Sequence, residues 1–348
     1  MNTLIRTFDK LGFLLKEFKE FYTEKNNFSE SKKNFFLFMN YLKKISDKNT
    51  WFRIEDLLIT IEEWSILLRI ERLEEWINKY SFEKKKKKTV LVIMPGNIPI
   101  AGFHDFLCVI LSGHRILIKL SKEDDLLFPF LCNIITYINP SLKKMIKFSK
   151  NFSKEKYDIV IASGSTNTAR YFEYYFRDYP LLLRKSRTSI AILQGDESNK
   201  DLVSLTKDIL TYSGRGCRNV GKIFVPNNYD FRLLLVNMTS SYIMKNPKYV
   251  NNYNYYHSIY TMNNIPMKKN NIIILIENKK LFSPISVIYY EFYSNLNKLK
   301  NNISNNREHL QCIVSKNIFP YETYFGNTQY PNLLNYSDGF DTMKFINQ

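Results

Sequence analysis

Residues 89–120 read TVLVIMPGNIPIAGFHDFLCVILSGHRILIKL, and this stretch decides the fold. Two short runs rich in β-branched residues, TVLVIM (89–94) and RILIKL (115–120), flank a stretch of helical period over 99–112. The same rhythm continues outward. YDIVIA (157–162) and TSIAIL (188–193) read as strands, with helical stretches near 123–138 and 166–177. Strand alternating with helix predicts a parallel sheet with helices on its faces. Further on, a helix near 201–213, the strand KIFVP (222–226) and a helix over 229–243 extend the pattern. Strands return at IIILI (272–276) and ISVIYY (285–290). Residues 246–271, rich in Asn, Tyr and Lys, read as an irregular surface excursion.

Ahead of the first strand the rhythm is purely helical. Leu4, Phe8, Leu11, Leu15, Phe18 and Tyr22 share one helical face, and residues 33–45 and 51–79 repeat the spacing. Trp51, Leu57, Ile61, Trp64, Leu68, Leu73 and Trp76 form a stripe that reads as core rather than binding surface. The expected organisation is a helical region (1–88), a nucleotide-binding α/β domain (89–195), a second α/β domain (196–320) and a C-terminal tail (321–348) returning to the first lobe. A chain of 348 residues fits two such lobes.

Composition removes several classes. Apolar residues make 45%, with only 11 Gly and 11 Pro, which excludes collagen-like, low-complexity and wholly disordered chains. The four cysteines (Cys108, Cys132, Cys217, Cys312) form no C-x-x-C pair, and there are only four His, so neither a disulfide framework nor a metal site is expected. No apolar run reaches the roughly 18 residues that span a bilayer. The first residues, MNTLIRTFDKLGFLLKEFKE, lack the apolar core of a signal peptide, so a soluble cytoplasmic protein is expected. The net charge of +17 suits a polyanion, but Lys, Asn, Ile, Tyr and Phe abound together, as A/T-rich codons dictate. No recognition helix or zinc finger accompanies the charge, so no nucleic-acid partner is expected. The run Lys84–Lys88 is either a solvated linker or an electrostatic aid to a phosphorylated ligand.

Three constellations carry chemistry. Met94-Pro95-Gly96-Asn97-Ile98-Pro99 follows a strand at the sheet edge where α/β proteins bind ligands. Asn97 is either an ordinary turn residue or an amide donor for a developing oxyanion. Ser163-Gly164-Ser165-Thr166 also follows a strand and opens a helix. It is either an N-cap cluster or a turn whose N–H groups approach a phosphate. Tyr212-Ser213-Gly214-Arg215-Gly216-Cys217-Arg218-Asn219 sets one cysteine among two arginines and two glycines. That surrounding favours a thiolate nucleophile over an inert core thiol, the setting in which Cys108 and Cys132 sit.

In this order the segments resemble the aldehyde dehydrogenase superfamily, and within it the acyl-CoA reductases related to the fatty-acid reductase subunit of bacterial luminescence. The resemblance covers about residues 90–345 and is carried by MPGNIPIAGFHDFL, GHRILIKLS, IASGSTNTARYF, TYSGRGCRNVGKIFVP, FSPISVIYY and YFGNTQYPNLLNYSDGFDTMKFI. It implies two α/β lobes behind an N-terminal helical region. It makes Asn97 similar to the family's oxyanion-hole Asn, Lys119 to the cofactor-ribose Lys, Ser165 and its loop to the pyrophosphate turn, and Cys217 to the acylated nucleophile. The implied reaction is reduction of a fatty acyl-CoA to the aldehyde through an acyl-cysteine. Asn97 and the Cys217 N–H hold the oxyanion, and His104 is either a proton donor or a packing residue.

The departures bear on the direction of the reaction. Aldehyde dehydrogenases carry a water-activating Glu where Ile192 stands before Leu193-Gln194-Gly195, although Asp196 or Glu197 is close enough in sequence to replace it. A reductase needs no such water. Lys280 stands where many members have a Glu two residues before Phe-Gly-Pro. Lys122 stands where NAD-preferring members have an acid, which points to NADPH over NADH, unless Lys122 is a solvated helix-start residue. The alternatives are aldehyde oxidation to the acid and a non-catalytic scaffold of the same fold. Pairing into a homodimer through 285–315 or the tail rests on analogy alone.

Overall fold

The computed structural model describes residues 2–23, 33–82, 86–240 and 242–348. Lys84 and Lys85 of the lysine run lie outside them. The chain forms two compact units, Met1–Lys185 with Asn332–Gln348, and Ser186–Pro331.

The first unit begins with four helices, α1 (Asn2–Thr23), α2 (Lys33–Lys48), α3 (Ile54–Leu67) and α4 (Ile70–Ile77). Then follow β1 (Thr89–Ile93), α5 (Phe103–Leu111), β2 (Arg115–Lys119), α6 (Leu127–Ile138), β3 (Ile146–Phe148), β4 (Ile159–Ser163), α7 (Thr166–Tyr175) and β5 (Leu181–Arg184). The strands are all parallel, in the order β3-β2-β1-β4-β5. Side chains alternate across each strand, so one sheet serves two cores. Val90, Val92, Ile116, Ile118, Ile159 and Ile161 face α5, α6 and the N-terminal helices. Leu91, Leu117, Val160 and Ala162 face the other way, towards Phe172 and Phe176 at the end of α7. The N-terminal helices bury their aromatic stripe in the first of these cores, as the spacing predicts. Trp76 is 1% exposed, and each such side chain removed from water contributes roughly 1.5–3 kcal/mol.

The second unit runs β6 (Thr188–Ile192), α8 (Asn199–Leu210), β7 (Val220–Pro226), α9 (Phe231–Asn237), α10 (Pro247–Met262), β8 (Met267–Lys269), β9 (Ile274–Glu277), β10 (Val287–Tyr293), α11 (Leu296–Asn305) and β11 (Leu310–Val314). Its sheet has the order β11-β6-β7-β10-β9-β8, parallel except for the β8–β9 pair. The chain ends in α12 (Thr342–Ile346), which belongs to the first unit. There the tail is clamped by polar contacts. Arg184 reaches Asp105 (2.6 Å), the Ser337 carbonyl (2.6 Å) and Thr342 Oγ1 (2.8 Å), while Trp76 Nε1 donates to Tyr336 Oη (2.8 Å).

Two expectations need correction. TSIAIL belongs to the second unit, because β6 hydrogen-bonds between β7 and β11. The boundary therefore falls after Lys185, ten residues before the expected 195. Residues 246–271 are not irregular. Asn246 caps α10, with Pro247 in its first turn, and a tyrosine stripe at 253, 256 and 260 packs on β9 and β10. Asn and Tyr are weak helix formers, so packing rather than propensity makes this helix.

Candidate active site

In the first unit the expected residues converge on one sheet edge. Ile93 of β1 lies in register with Lys119 of β2 and with Ala162 of β4. The Asn97 turn, Lys119 and the Ser163–Thr166 turn therefore leave three adjacent strands at one level. Strand order reverses between β1 and β4, the switch point where parallel α/β sheets bind ligands.

The Asn97 turn is held by its neighbour. A Cβ on Gly96 would lie 2.3 Å from Ser121 Oγ, so only glycine lets the β1–α5 and β2–α6 loops touch. Ile100 has φ 45°, a left-handed conformation that costs a β-branched residue on the order of 1–3 kcal/mol. Its N–H donates to Asp124 Oδ2 over 2.6 Å. Asp124 is 5% exposed, and burial is the main cause that pushes its carboxyl up to about 7. Sequence reading missed Asp124. Its signal was an acid inside an apolar helix entrance, indistinguishable from the neighbouring Glu123 and Asp125.

Lys119 is half-buried and its Nζ donates to the Leu120 carbonyl (3.1 Å), while Lys122 is exposed. Ser165 is the N-cap of α7. Its Oγ accepts from the Thr168 N–H (3.2 Å) and lies 2.9 Å from Thr168 Oγ1. A Cβ on Gly164 would lie 3.0 Å from Thr168 Cβ, so a larger residue would press on the first turn of α7. Two lysines and a glycine-bearing helix start are donors suited to a dinucleotide's phosphates and ribose. Of the two readings of His104, the contacts are those of a packing residue. Its Nε2 lies 2.9 Å from the Leu333 carbonyl, and its ring packs on Trp76 and Tyr336.

In the second unit Cys217 sits between α8 and β7, at the N-terminal end of that strand. It is exposed, whereas Cys108, Cys132 and Cys312 are buried. Burial raises the thiols of Cys108 and Cys132, which keeps both protonated. Tyr212, Ser213 and Gly214 have φ 55°, 57° and 74°, a left-handed run that ends α8 and turns the chain towards the cysteine. Asn219 fixes that loop. Its Nδ2 donates to the carbonyls of Asp208 (3.0 Å), Ile209 (3.2 Å) and Thr211 (2.9 Å), and its Oδ1 accepts from the Gly216 N–H (2.7 Å). Ser189 Oγ donates to the Cys217 carbonyl (3.0 Å) and accepts from the Cys312 N–H (3.0 Å). Sequence reading missed both, because each acts through backbone groups, and those of Ser189 are distant along the chain.

Arg218 Nη1 lies 3.3 Å from Cys312 Sγ and 3.3 Å from the Thr328 carbonyl, so Cys312 also has a cationic neighbour. Burial of its thiol, at 4% exposure, sets it apart from Cys217. Ile192, at the place of the water-activating acid, is 1% exposed within β6. Both oxygens of Glu197 accept from backbone, Oε1 from the Gln194 N–H (2.5 Å) and Oε2 from the Gly195 N–H (3.2 Å). Near Lys280, buried Lys222 donates to the carbonyls of Asn278 (3.1 Å) and Lys279 (2.9 Å) and to Glu291 Oε2 (2.5 Å), fixing the segment before Phe282-Ser283-Pro284.

The sequence matches the acyl-CoA reductase (LuxC) family over residues 15–325. The chain belongs to that family. No curated protein matches it significantly. Solved aldehyde dehydrogenases share its fold. An indole-3-acetaldehyde dehydrogenase bound to NAD+ has a TM-score of 0.62 at 11% identity, covering 94% of this chain and 73% of that one. The NAD+ complex of an aldehyde dehydrogenase from Bacillus cereus has a TM-score of 0.60 at 12% identity, covering 90% and 72%. KauB from Pseudomonas aeruginosa has a TM-score of 0.59 at 11% identity, covering 92% and 71%. At such identities these neighbours show the fold alone. Among the described residues no cluster of metal-binding side chains occurs, and no helix is long and apolar enough to cross a membrane.

Proposed function

We propose that this acyl-CoA reductase family member reduces a fatty acyl-CoA to its aldehyde through an acyl-cysteine on Cys217, with NADPH as reductant. The observation that carries the reading is the exposure of Cys217, alone among four cysteines, on a loop fixed by Asn219. The thiolate attacks the thioester carbon, and the carbonyl electron pair moves onto oxygen. Asn97 and the Cys217 N–H donate to that oxyanion. The carbonyl re-forms as the carbon–sulfur bond to CoA breaks, and CoA leaves as its thiolate. When bound, the reduced nicotinamide supplies a hydride to the acyl-cysteine. The chain's part in that half-reaction is to hold the second oxyanion through the same donors, until the thiohemiacetal releases aldehyde and regenerates the thiolate.

Reduction is favoured over hydrolysis by two features already described. Ile192 offers no base, and Glu197 turns both its oxygens onto the backbone N–H groups of Gln194 and Gly195. Lys119, Lys122 and the Ser163–Thr166 turn are the proposed cofactor contacts. Lys122, exposed where an acid would repel a 2′-phosphate, supports NADPH. Intact-mass spectrometry after incubation with acyl-CoA of several chain lengths, without reductant, tests the reading. An acyl adduct on the Cys217 peptide that disappears on adding NADPH is expected. An adduct on another cysteine, or turnover with no adduct, defeats it.

A further inference from the structure

We infer that Asp124 is a positioning residue for the proposed oxyanion donor, holding Ile100, at the end of the 97–100 turn, in its left-handed conformation by accepting its N–H. This rests on the role proposed for Asn97. The geometry is that of a strained residue anchored by a side chain from another loop. Ile100, at φ 45°, adopts a conformation that an isolated β-branched residue avoids. Its N–H points at a carboxyl 2.6 Å away in a buried site. Asp124 Oδ1 is also buried and, among the described residues, meets no hydrogen-bond partner, so the bond to Ile100 is the one this carboxyl makes there. An acid kept there at the cost of desolvation is out of place unless that bond matters.

The anchor is itself anchored. Asp124 N–H donates to the Ser121 carbonyl (3.3 Å), and Glu123 N–H to Ser121 Oγ (3.2 Å). Asn49 Nδ2 donates to the Glu123 carbonyl (3.1 Å), Tyr41 Oη to the Leu126 carbonyl (3.3 Å), and Lys48 pairs with Asp125 (2.5 Å). The 121–126 loop is thus tied to α2 and to the connection that follows it. Through Asp124 the N-terminal helical region sets where the Asn97 turn lies. The loop that carries Lys122 and the turn that carries Asn97 are joined by the Ile100–Asp124 bond and by the close approach at Gly96.

The test compares acylation of Cys217 with its alkylation. Attack on a thioester passes through an oxyanion, whereas displacement of iodide from iodoacetamide does not. Asp124→Ala should slow single-turnover acylation by acyl-CoA tenfold or more. It should leave iodoacetamide alkylation of Cys217 and NADPH dissociation within twofold of the parent. Asp124→Asn, which retains an oxygen acceptor, should restore acylation to within about threefold. Asp124→Leu, branched at the same atom but without an acceptor, should behave like Asp124→Ala and serves if the smaller variant does not fold. Combining Asp124→Ala with Asn97→Ala should be no slower than Asn97→Ala alone, because both remove one donor's placement. Acylation at the parent rate in Asp124→Ala and Asp124→Leu, or alkylation falling in parallel with acylation, overturns the inference. If instead the parent forms no adduct, or Asn97→Ala has no effect, the underlying reading of the site fails, whatever Asp124 does.

Discussion

The Asn97 turn and the Cys217 loop both depart from ordinary backbone geometry, yet they are held by opposite means. Around Cys217 a left-handed run is stitched by a neutral amide, Asn219, that meets three carbonyls and one N–H of its own loop. Around Asn97 a left-handed isoleucine is held by an acid from another loop, through one bond. The first device is local and carries no charge. The second is long-range and titratable. The loop proposed to carry the nucleophile is thus specified within the one stretch 208–219, while the proposed donor turn depends on packing of the helical region and the β2–α6 loop.

The largest expected effect would break the division of labour between the two regions. Cys217→Ser should abolish the acyl adduct, because a serine hydroxyl without a dedicated base is a far poorer nucleophile. NADPH binding should stay within twofold, read by titration of nicotinamide fluorescence. Weakened NADPH binding in this variant would show that the loop does more than carry the thiol. Next, Asn97→Ala should slow acylation by roughly 10²–10³-fold, the usual loss for one oxyanion donor, with the adduct still mapping to Cys217. A rate unchanged by the substitution would leave the turn without a catalytic part.

Two further changes sharpen the contrast between the anchors. Asn219→Ala should lower unfolding free energy by about 2–4 kcal/mol in urea, since buried carbonyls and an N–H lose their partner. Asn219→Asp should be worse, because a carboxylate would face three carbonyl oxygens. Equal stability of the parent and both variants would mean that the loop holds itself. For Asp124 the sign follows from a folded-state value of about 7 against an ordinary 3.8. The folded protein binds this proton more tightly than the unfolded chain. Its contribution to stability is full below about pH 4 and is lost as pH rises through about 7. Stability should therefore fall over that window by up to ~1.4 kcal/mol per pH unit from this group. Glu63, raised by burial to about 8, adds a slope of the same sign. The difference between the parent and Asp124→Asn isolates Asp124, and superimposable stability–pH curves would contradict the assignment.

The smallest expected effect is on cofactor choice. Lys122→Glu should raise KM for NADPH about tenfold and alter KM for NADH far less, with the acyl adduct unaffected. Equal changes for both cofactors would place Lys122 away from the 2′-phosphate.

Much of this was legible in the chain itself. Parallel strands announce themselves as short β-branched runs because both faces are buried, so 89–94, 115–120 and 157–162 could be read one residue at a time. Gly214, at φ 74°, and the cysteine of the 212–219 loop stand out equally, although the left-handed Tyr212 and Ser213 beside them give no such signal. What the sequence left hidden is whatever depends on a partner distant along the chain. The strand 188–193 reads alike in either sheet, and only its pairing with β7 and β11 assigned it to the second. The tyrosine helix at 247–262 has poor local propensity and exists because β9 and β10 offer it a surface. Asp124 is one of three neighbouring acids in the sequence. Which of them loses its water and meets a backbone N–H was decided by the approach of two loops across a glycine, a contact that no periodicity records.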